Sequence, residues 1–228
     1  MAANSASLLA DMRLYQLISP SLPVGAFTYS QGLEWAVESG WVDCKAALHS
    51  WLLAVLEHSI VTLELPLLQR LLSACQDNDS ARFNQLCQWL LASRETSELR
   101  KEERQRGAAM ARLLPRLGLE IPLASLDAVK STQLAGFALA ADQWQISAEA
   151  CCAGYLWSWL ENMVMAGVKL VPLGQTDGQQ LLLELSAHCP ALIDQAQQLS
   201  DAEIGSSTPA QVIASSRHET QYTRLFRS

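Results

Sequence analysis

The sequence predicts an all-α fold, a single-domain bundle of about nine or ten helices. Apolar residues recur with the period of an α-helix through most of the 228 residues, which indicates amphipathic helices. Stretches in which apolar and polar residues alternate are nearly absent, and no Asn-Gly turn joins two β-branched segments. Half of the residues are apolar and 17% are charged, so the chain can bury a sizeable core.

The apolar stripes locate the helices in chain order. Leu48, Leu52 and Val55 form the first clear stripe, with the i, i+4, i+7 spacing of one helix face. A second stripe follows Pro66, because proline suits the first turn of a helix. Further apolar stripes or runs lie in residues 83–90, 99–117 and 181–185.

Residues that favour helix ends mark the boundaries between these stripes. Serine and threonine hydroxyls accept hydrogen bonds from the free N–H groups of a first turn, and glycine often follows a last turn. The expected boundary residues are the N-caps Ser125 and Ser147, a capping box at Thr176 with Gln179, a stop at Gly118 and a first-turn Pro190.

We expect one helical domain, residues 1–205, followed by a C-terminal partner-docking tail, residues 206–228. Residues 201–209 are small and polar, which is typical of a linker. Because this linker is short, it is expected to act as a hinge rather than to separate two domains.

Composition and charge exclude several classes of protein. The net charge of −7 and the pI of about 5.1 argue against nonspecific nucleic-acid binding. Six cysteines without a C-x-x-C pair fit small buried hydrophobes in a reducing cytoplasm, and no signal peptide is recognisable. Residues 150–168 contain Glu161 and Asn162, which favours a buried helix over a membrane span. We therefore expect a cytoplasmic protein that binds neither nucleic acid nor membrane.

Residues 217–228 carry three arginines, a glutamate, a histidine and two aromatic residues. Such side chains hold interfaces together when they are desolvated, so this segment is predicted to dock on a partner or on a second copy of the chain. A basic segment on an acidic body suits an acidic protein partner. The alternative is a short helix that packs Tyr222 and Phe226, spaced i, i+4, on its own domain. The candidate binding residues are Arg217, Glu219, Tyr222, Arg224, Phe226 and Arg227.

Residues 19–38 form an aromatic-rich segment that begins with a turn. Pro20, Pro23 and Gly25 favour the turn, and a helix containing Glu34 follows. The glycine spacing matches no phosphate-binding loop. Tyr29 and Glu34 are candidate partner-binding residues, and the alternative is that this segment only packs on the core.

Residues 94–106 form a charged block in which nine of thirteen residues are charged and the signs nearly cancel. Three pairs are spaced for contact along one helix: Glu98–Lys101, Arg100–Glu103 and Glu102–Arg106. The usual interpretation of such a block is a solvated helix face. Because exposed pairs contribute only about 0.3–0.5 kcal/mol each, a recognition face is the alternative. The candidate residues for recognition are Arg94, Glu95, Arg100 and Glu102.

Residues 168–180 form a third polar segment. Lys169 ends a predicted helix, where the helix dipole favours a cation, and Gln175 and Asp177 offer polar groups at the next helix start. All three are candidate contacts for a partner. The alternative for Lys169 is that it only stabilises its helix end.

Patterns typical of catalysis or metal binding are weakly represented. No two of the four histidines are spaced i, i+4, as many metal sites on helices require. No nucleophile-elbow or Cys–His signature occurs. We predict no catalytic, cofactor-binding or metal-binding residue within a single chain. A site in which a dimer axis joins two copies of His218 or Cys189 stays open.

Taken together, residues 19–34, 94–103, 168–180 and 217–228 resemble, in order, the corresponding segments of the urease accessory protein F family. The resemblance implies an all-helical, cytoplasmic and usually dimeric protein without enzyme activity. It also implies binding to urease accessory protein D/H, and through that protein to apo-urease. Together the two accessory proteins would recruit the GTPase accessory protein G, which delivers nickel, and the tail would become ordered against the D/H protein.

Two other functions remain open at this stage. One is a nickel-binding chaperone that uses His and Cys ligands. The other is a small helical enzyme that brings Tyr29, Glu34 and Lys169 into one pocket, although these residues are far apart in the sequence.

Overall fold

The chain folds into twelve α-helical segments within residues 2–228, the part that this computed structural model describes. Ten of these segments are ten residues or longer, and no strand occurs between residues 2 and 228. The all-α prediction is therefore confirmed. The segments are α1 (Ala2–Ile18), α2 (Leu33–Glu38), α3 (Lys45–Val55), α4 (Leu65–Gln76), α5 (Ser80–Ala92), α6 (Ser97–Leu113), α7 (Leu126–Ser131), α8 (Gln133–Gln143), α9 (Ala148–Leu170), α10 (Gln175–Ser186), α11 (Cys189–Gln198) and α12 (Pro209–His218).

Helix α8 lies at the centre of the bundle. All residues from Gln133 to Ala141 are buried, as expected for a helix that is apolar on every side. A Cβ atom at Gly136 would lie 2.8 Å from the Cβ of Met110, so a larger residue there would push α6 away. On the α9 side, the rings of Phe137 and Tyr155 meet edge to face at 5.6 Å. The core thus fixes α6 and α9, which both carry candidate binding residues.

A π-helical segment, Leu56–Glu64, joins α3 to α4 without a break. Pro66 follows it closely, and proline offers no N–H to the carbonyl four residues earlier. That carbonyl, on Thr62, accepts a hydrogen bond of 3.1 Å from the N–H of Gly205 instead. Pro66 therefore leaves the Thr62 oxygen free to bind Gly205, in the segment that leads to α12.

The residues that begin the helices agree only in part with the predicted caps. Ser147 accepts a hydrogen bond from the N–H of Ala150, as an N-cap does. Ser125 precedes α7 but makes no capping hydrogen bond. The capping box predicted at Thr176 is wrong, because α10 begins one residue earlier, at Gln175.

Among residues 2–228, one helix is long and apolar enough to cross a membrane, and it does not include residues 150–168, which are expected to form a buried helix. It is the continuous helix Lys45–Gln76, and 72% of its most apolar window is buried inside the protein. Burial of this kind is common in the central helices of bundles. The predicted residues 150–168 lie within α9, which packs its own apolar side chains in the core.

Residues 201–209 lie against the body of the protein. Asp201 accepts hydrogen bonds from Arg70 at 2.6 Å and Arg82 at 2.8 Å, and Ile204 is buried. The Thr208 hydroxyl approaches the backbone oxygen of Ala54 at 3.3 Å. The expected linker is thus held in place along its length in this structure.

Candidate partner-binding site

The part of the tail after α12, residues 219–228, returns to the body and pairs with residues 28–31. The N–H of Arg227 donates to the Thr28 oxygen at 2.8 Å, and the Ser228 oxygen accepts from the N–H of Gln31 at 3.0 Å. The Ser30 hydroxyl donates to the same Ser228 oxygen at 2.8 Å. The aromatic-rich segment and the tail therefore form one unit.

Glu34 on α2 binds this tail through both carboxylate oxygens. Oε1 accepts the N–H of Leu225 at 2.6 Å, and Oε2 accepts the N–H of Phe226 at 2.9 Å. Glu34 is buried, so its charge is compensated by these donors rather than by water. One helix residue thus fixes two consecutive backbone groups of the tail.

His218 links α12 to two carboxylates and is completely buried. Its Nε2 lies 3.1 Å from Oε2 of Glu34, and its Nδ1 lies 2.7 Å from Oε2 of Glu98 on α6. Each ring nitrogen of His218 therefore faces the carboxylate of a different helix. We call Glu34, His218 and Glu98 the histidine bridge.

Two cationic side chains, Arg224 and Lys169, also contact the tail at its sides. Arg224 donates to Oε1 of Glu98 at 2.6 Å, and its side chain is 36% exposed. The Nζ atom of Lys169 lies 5.7 Å from the centre of the Phe226 ring, within the range of a cation–π interaction. Lys169 therefore contacts the tail in addition to sitting in the last turn of α9.

A polar network continues from the tail into the body. Glu102 accepts hydrogen bonds from Gln31 at 3.0 Å and from Arg106 at 2.6 Å. The indole N–H of Trp159 donates to the Gln31 side chain at 3.0 Å. Tyr29 donates to Gln105 at 2.6 Å, and burial, followed by the charge of Glu102, raises the pKa of Tyr29.

Between α6 and the tail lies an open groove of about 440 Å³. Its walls include Tyr29, Lys101, Glu219, Arg224 and Arg227. Glu219 closes one end by accepting a hydrogen bond of 2.8 Å from the N–H of Ser97, at the start of α6. Solvent therefore reaches one side of the docked tail.

A second buried cluster, which we call the arginine cluster, lies deeper on α6. Arg94 donates to Glu103 at 2.5 Å and also contacts Glu64 of the π-helical segment. The other oxygen of Glu103 accepts from the Thr132 hydroxyl at 2.7 Å. Burial opposes the charge of Glu103, but Arg94 and then Thr132 lower its pKa overall. Burial raises the pKa of Glu64, and Arg94 offsets this only in part.

An exposed aromatic edge borders the other side of the tail. The side chain of Tyr222 is fully exposed, and Trp41, Ile213 and Leu225 are 46%, 49% and 66% exposed. Arg217 lines the same surface beside Trp41 and Tyr222. Exposed aromatic residues next to arginine are typical of interaction surfaces.

The structure brings together many, but not all, of the predicted binding residues. Around the tail lie Tyr29, Glu34, Glu102, Lys169, Arg217, Glu219, Tyr222, Arg224, Phe226 and Arg227. Arg94 belongs to the arginine cluster, and Arg100 donates to the backbone oxygen of Arg94. Glu95 and Gln175 are exposed. Asp177 accepts the N–H of Gly174 at 3.2 Å and so caps α10.

The interpretation of the charged block as a solvated face is wrong for its buried members, which include Arg94, Glu98, Glu102 and Glu103. Of the three predicted pairs only Glu102–Arg106 occurs among the described residues.

The alternative for the tail, that it packs on its own domain, is correct in part, because Phe226 is buried there. However, α12 ends at His218, so Tyr222 and Phe226 do not share a helix.

Sequence reasoning missed several residues of the site. The sequence indicates His218 only as one of the polar residues of the tail and as a possible metal ligand at a dimer axis, and it pairs Glu98 only with Lys101. Gln31 has a positive φ of 53°, which non-glycine residues seldom adopt, and no spacing rule identifies it. The glycine at position 32 is a feature that the sequence does show. The structure gives its reason: a Cβ atom there would lie 2.6 Å from the backbone of Ser215.

The geometry describes an all-α protein whose site is built from ion pairs and hydrogen bonds between distant segments. Among residues 2–228 no group of three or more His, Cys, Asp or Glu side chains is arranged to hold a metal ion. The fold and site thus define a class of helical proteins with a docked C-terminal segment.

Comparison with known proteins narrows this class to one family. The family model described as UreF matches residues 42–186. A protein of Alcanivorax borkumensis named "Urease accessory protein UreF" is 53% identical over 225 residues, which cover 96% of this chain and 98% of the relative. Proteins of the same name from Pseudomonas putida KT2440 and Azoarcus sp. BH72 are both 51% identical, covering 96% and 100% of this chain and 98% and 100% of the relatives. The chain belongs to the UreF family of urease accessory proteins.

Proposed function

We propose that this chain is a non-enzymatic adaptor in urease maturation, working in the cytoplasm and as a dimer. In this proposal it binds urease accessory protein D/H, and the pair recruits the GTPase accessory protein G for nickel insertion into apo-urease. The names of the relatives support a role as a urease accessory protein. The finer roles follow from the resemblance of the four polar segments to the family.

The observation that carries the proposal is the exposed edge of the docked tail. Tyr222 and Leu225 project into solvent while Phe226 anchors the tail beneath them. A partner that covered Tyr222 would bury a large aromatic side chain already held on a fixed backbone, which lowers the entropy cost of binding. We therefore assign this edge to the D/H protein.

The enzyme alternative receives little support from the geometry. Glu34 and Lys169 both contact Phe226, and Tyr29 lines the same groove as Phe226. Glu34 thus binds the backbone of the docked tail and Lys169 lies over its Phe226 ring, so both are engaged by the tail. Both oxygens of Glu34 are already occupied by donors.

Capture of purified D/H protein by the immobilised full-length chain tests the proposal. Tyr222→Ala should weaken capture by about tenfold or more, the loss expected for an aromatic anchor. Thr220→Ala, in the same segment, is the matched control and should retain capture. Because Tyr222 is fully exposed, its substitution should leave the melting temperature unchanged. Equal capture by both variants would contradict the proposal.

Deleting residues 217–228 is the stronger perturbation. It should abolish capture of the D/H protein, and with it urease activation, while far-UV circular dichroism still shows a helical, cooperatively unfolding body. A deletion variant that captures D/H protein at near full strength would overturn the assignment of the tail. A variant that fails to fold would show that the tail, including the buried His218, is part of the core.

We also propose that Lys169, near the end of α9, belongs to the surface that receives the GTPase accessory protein G, and Lys169→Ala tests this assignment. If Lys169 belongs to the surface for protein G, urease activity per assembled complex should fall while the D/H complex persists. If Lys169 only stabilises its helix end, the variant should lose at most about 1 kcal/mol of stability and activate urease normally.

A further inference from the structure

Helix α6 separates its charges by sign. Its three glutamates, Glu98, Glu102 and Glu103, are all buried. The exposed charged residues on the helix are all cationic: Lys101, Arg104 and Arg112, followed by Arg116 just beyond its end. The sequence has nearly balanced signs in residues 94–106, but burial removes the three glutamates of α6 from the surface and leaves only Glu95, before the helix, exposed.

The exposed cations lie along one side of the helix. Lys101, Arg104 and Arg112 recur at i, i+3 and i+11, which keeps them on one face, and the small Ala108 lies between them. At about 1.5 Å per residue, the distance along the axis from Lys101 to Arg112 is about 17 Å. We call Lys101, Arg104, Arg112 and Arg116 the α6 ridge.

The ridge cations form no ion pair within the described residues, although Lys101 and Glu219 line the same groove beside the tail. Within residues 2–228 none of its four cations lies within 4.0 Å of a carboxylate oxygen. Glu98, the predicted partner of Lys101, is occupied by His218 and Arg224. The helix dipole favours Arg112 in the last turn, but it gives no reason for cations at Lys101 and Arg104.

We propose that the α6 ridge binds an acidic segment of a protein partner. The inference rests on the adaptor function proposed above and names the chemistry of one partner surface. Arginine forks bind carboxylates in two-point contacts, and about 17 Å matches eleven residues of an acidic helix.

A protein segment fits this ridge better than a nucleic acid or a membrane. Without its four cations the chain would carry a formal charge of −11 instead of −7. An extended polyanion or an anionic bilayer would reach beyond the ridge and meet this negative surface, whereas a short acidic segment would not.

Binding of a fluorescein-labelled decaglutamate peptide to the full-length chain, followed by anisotropy at low salt, tests the proposal. Arg104→Gln with Arg112→Gln should weaken binding about three- to thirtyfold, since each exposed ion pair contributes a few tenths to about 1 kcal/mol. Arg13→Gln with Lys130→Gln removes the same charge outside the ridge and should change affinity less than twofold.

Three outcomes would overturn the ridge proposal: no peptide binding, equal losses in both double variants, or tighter binding of a single-stranded oligonucleotide or of phosphatidylserine vesicles. Tyr222→Ala should keep its affinity for the peptide, because Tyr222 lies outside the ridge. If the ridge variants bind peptide normally while Tyr222→Ala loses the D/H protein, the ridge proposal fails and the adaptor proposal stands. If the ridge variants lose the peptide while Tyr222→Ala still binds the D/H protein, the ridge proposal stands and the assignment of the tail edge to the D/H protein fails.

Discussion

Helix α6 supplies carboxylates to two buried sites that hold different parts of the molecule. In the arginine cluster, Glu103 and Arg94 connect α6 to Glu64 and Thr132, all within the body. In the histidine bridge, Glu98 connects α6 to His218 and the tail. Both sites are buried, but Glu98 of the second lines the open groove between α6 and the tail, whereas Glu64, Arg94 and Glu103 do not.

The difference indicates which contacts can open without unfolding the protein. A charge in an enclosed site loses its only partner when the site breaks, and water cannot replace that partner quickly. Glu98 of the histidine bridge lines the groove, so water can hydrate it if the tail leaves. We therefore expect the arginine cluster to govern global stability and the histidine bridge to govern docking of the tail.

Arg94→Met should have the largest effect on stability. The substitution leaves Glu64 and Glu103 buried without a cation, at a cost of about 3–5 kcal/mol. Urea unfolding followed by circular dichroism at pH 7 measures this cost. Arg104→Met on the exposed side of the same helix is the control and should change stability by less than about 0.5 kcal/mol. Similar losses in both variants would contradict the comparison.

The two glutamates of the arginine cluster should respond differently to neutralisation. Because the pKa of Glu103 is lowered by folding, its contribution to stability is present above its ordinary pKa and is lost as pH falls through the folded value. Glu103→Gln should therefore cost about 2–3 kcal/mol at pH 7 and flatten the acid limb of the stability curve.

Glu64→Gln should cost less than Glu103→Gln, because the pKa of Glu64 is raised by burial. A raised carboxyl pKa means that the ionised form is disfavoured in the folded state, so neutralising it removes a penalty. One oxygen of Glu64 also has no hydrogen-bond partner among the described residues. A larger loss for Glu64→Gln, measured by the same urea unfolding at pH 7, would reverse our ranking of the two carboxylates.

Much of the architecture follows from local sequence. The spacing of Leu48, Leu52 and Val55 predicts a helix face that is buried in α3, and Ser147 begins α9 as expected. These features depend on residues a few positions apart, where helix periodicity and capping act. Likewise the anchor role of Phe226 follows from its side chain, although the sequence does not decide between its own domain and a partner.

The site itself depends on contacts that local rules do not contain. Glu98 has Lys101 three residues away, yet it binds His218 and Arg224 more than 100 positions later. Spacing rules describe neighbours on one helix, whereas burial decides which charges leave the surface. For the same reason, the nearly neutral charged block gives no sign of its basic outer face.

His218→Gln should have an intermediate effect on stability and a clear effect on the tail. The imidazole presents two nitrogens to two different carboxylates, whereas a glutamine side chain presents one nitrogen and one oxygen, so we expect a loss of about 1–2 kcal/mol. Limited trypsin digestion at Arg224 and Arg227 should become faster, because the tail undocks more often. Unchanged digestion together with a lower melting temperature would mean that the bridge stabilises α12 rather than the tail.

Arg224→Ala should have the smallest effect on stability and serves as the finest test of the comparison. Its side chain is 36% exposed, so its ion pair with Glu98 should contribute less than about 1 kcal/mol. Glu98 keeps His218 as a partner and gains water from the groove, which limits the cost of the lost contact. Hydrogen exchange of the Leu225 and Phe226 amides, which Glu34 binds, should nevertheless accelerate relative to amides in α8. If these amides exchange as slowly as in the unmodified chain, Glu34 and the pairing with residues 28–31 hold the tail without Arg224, which is then free to contact a partner.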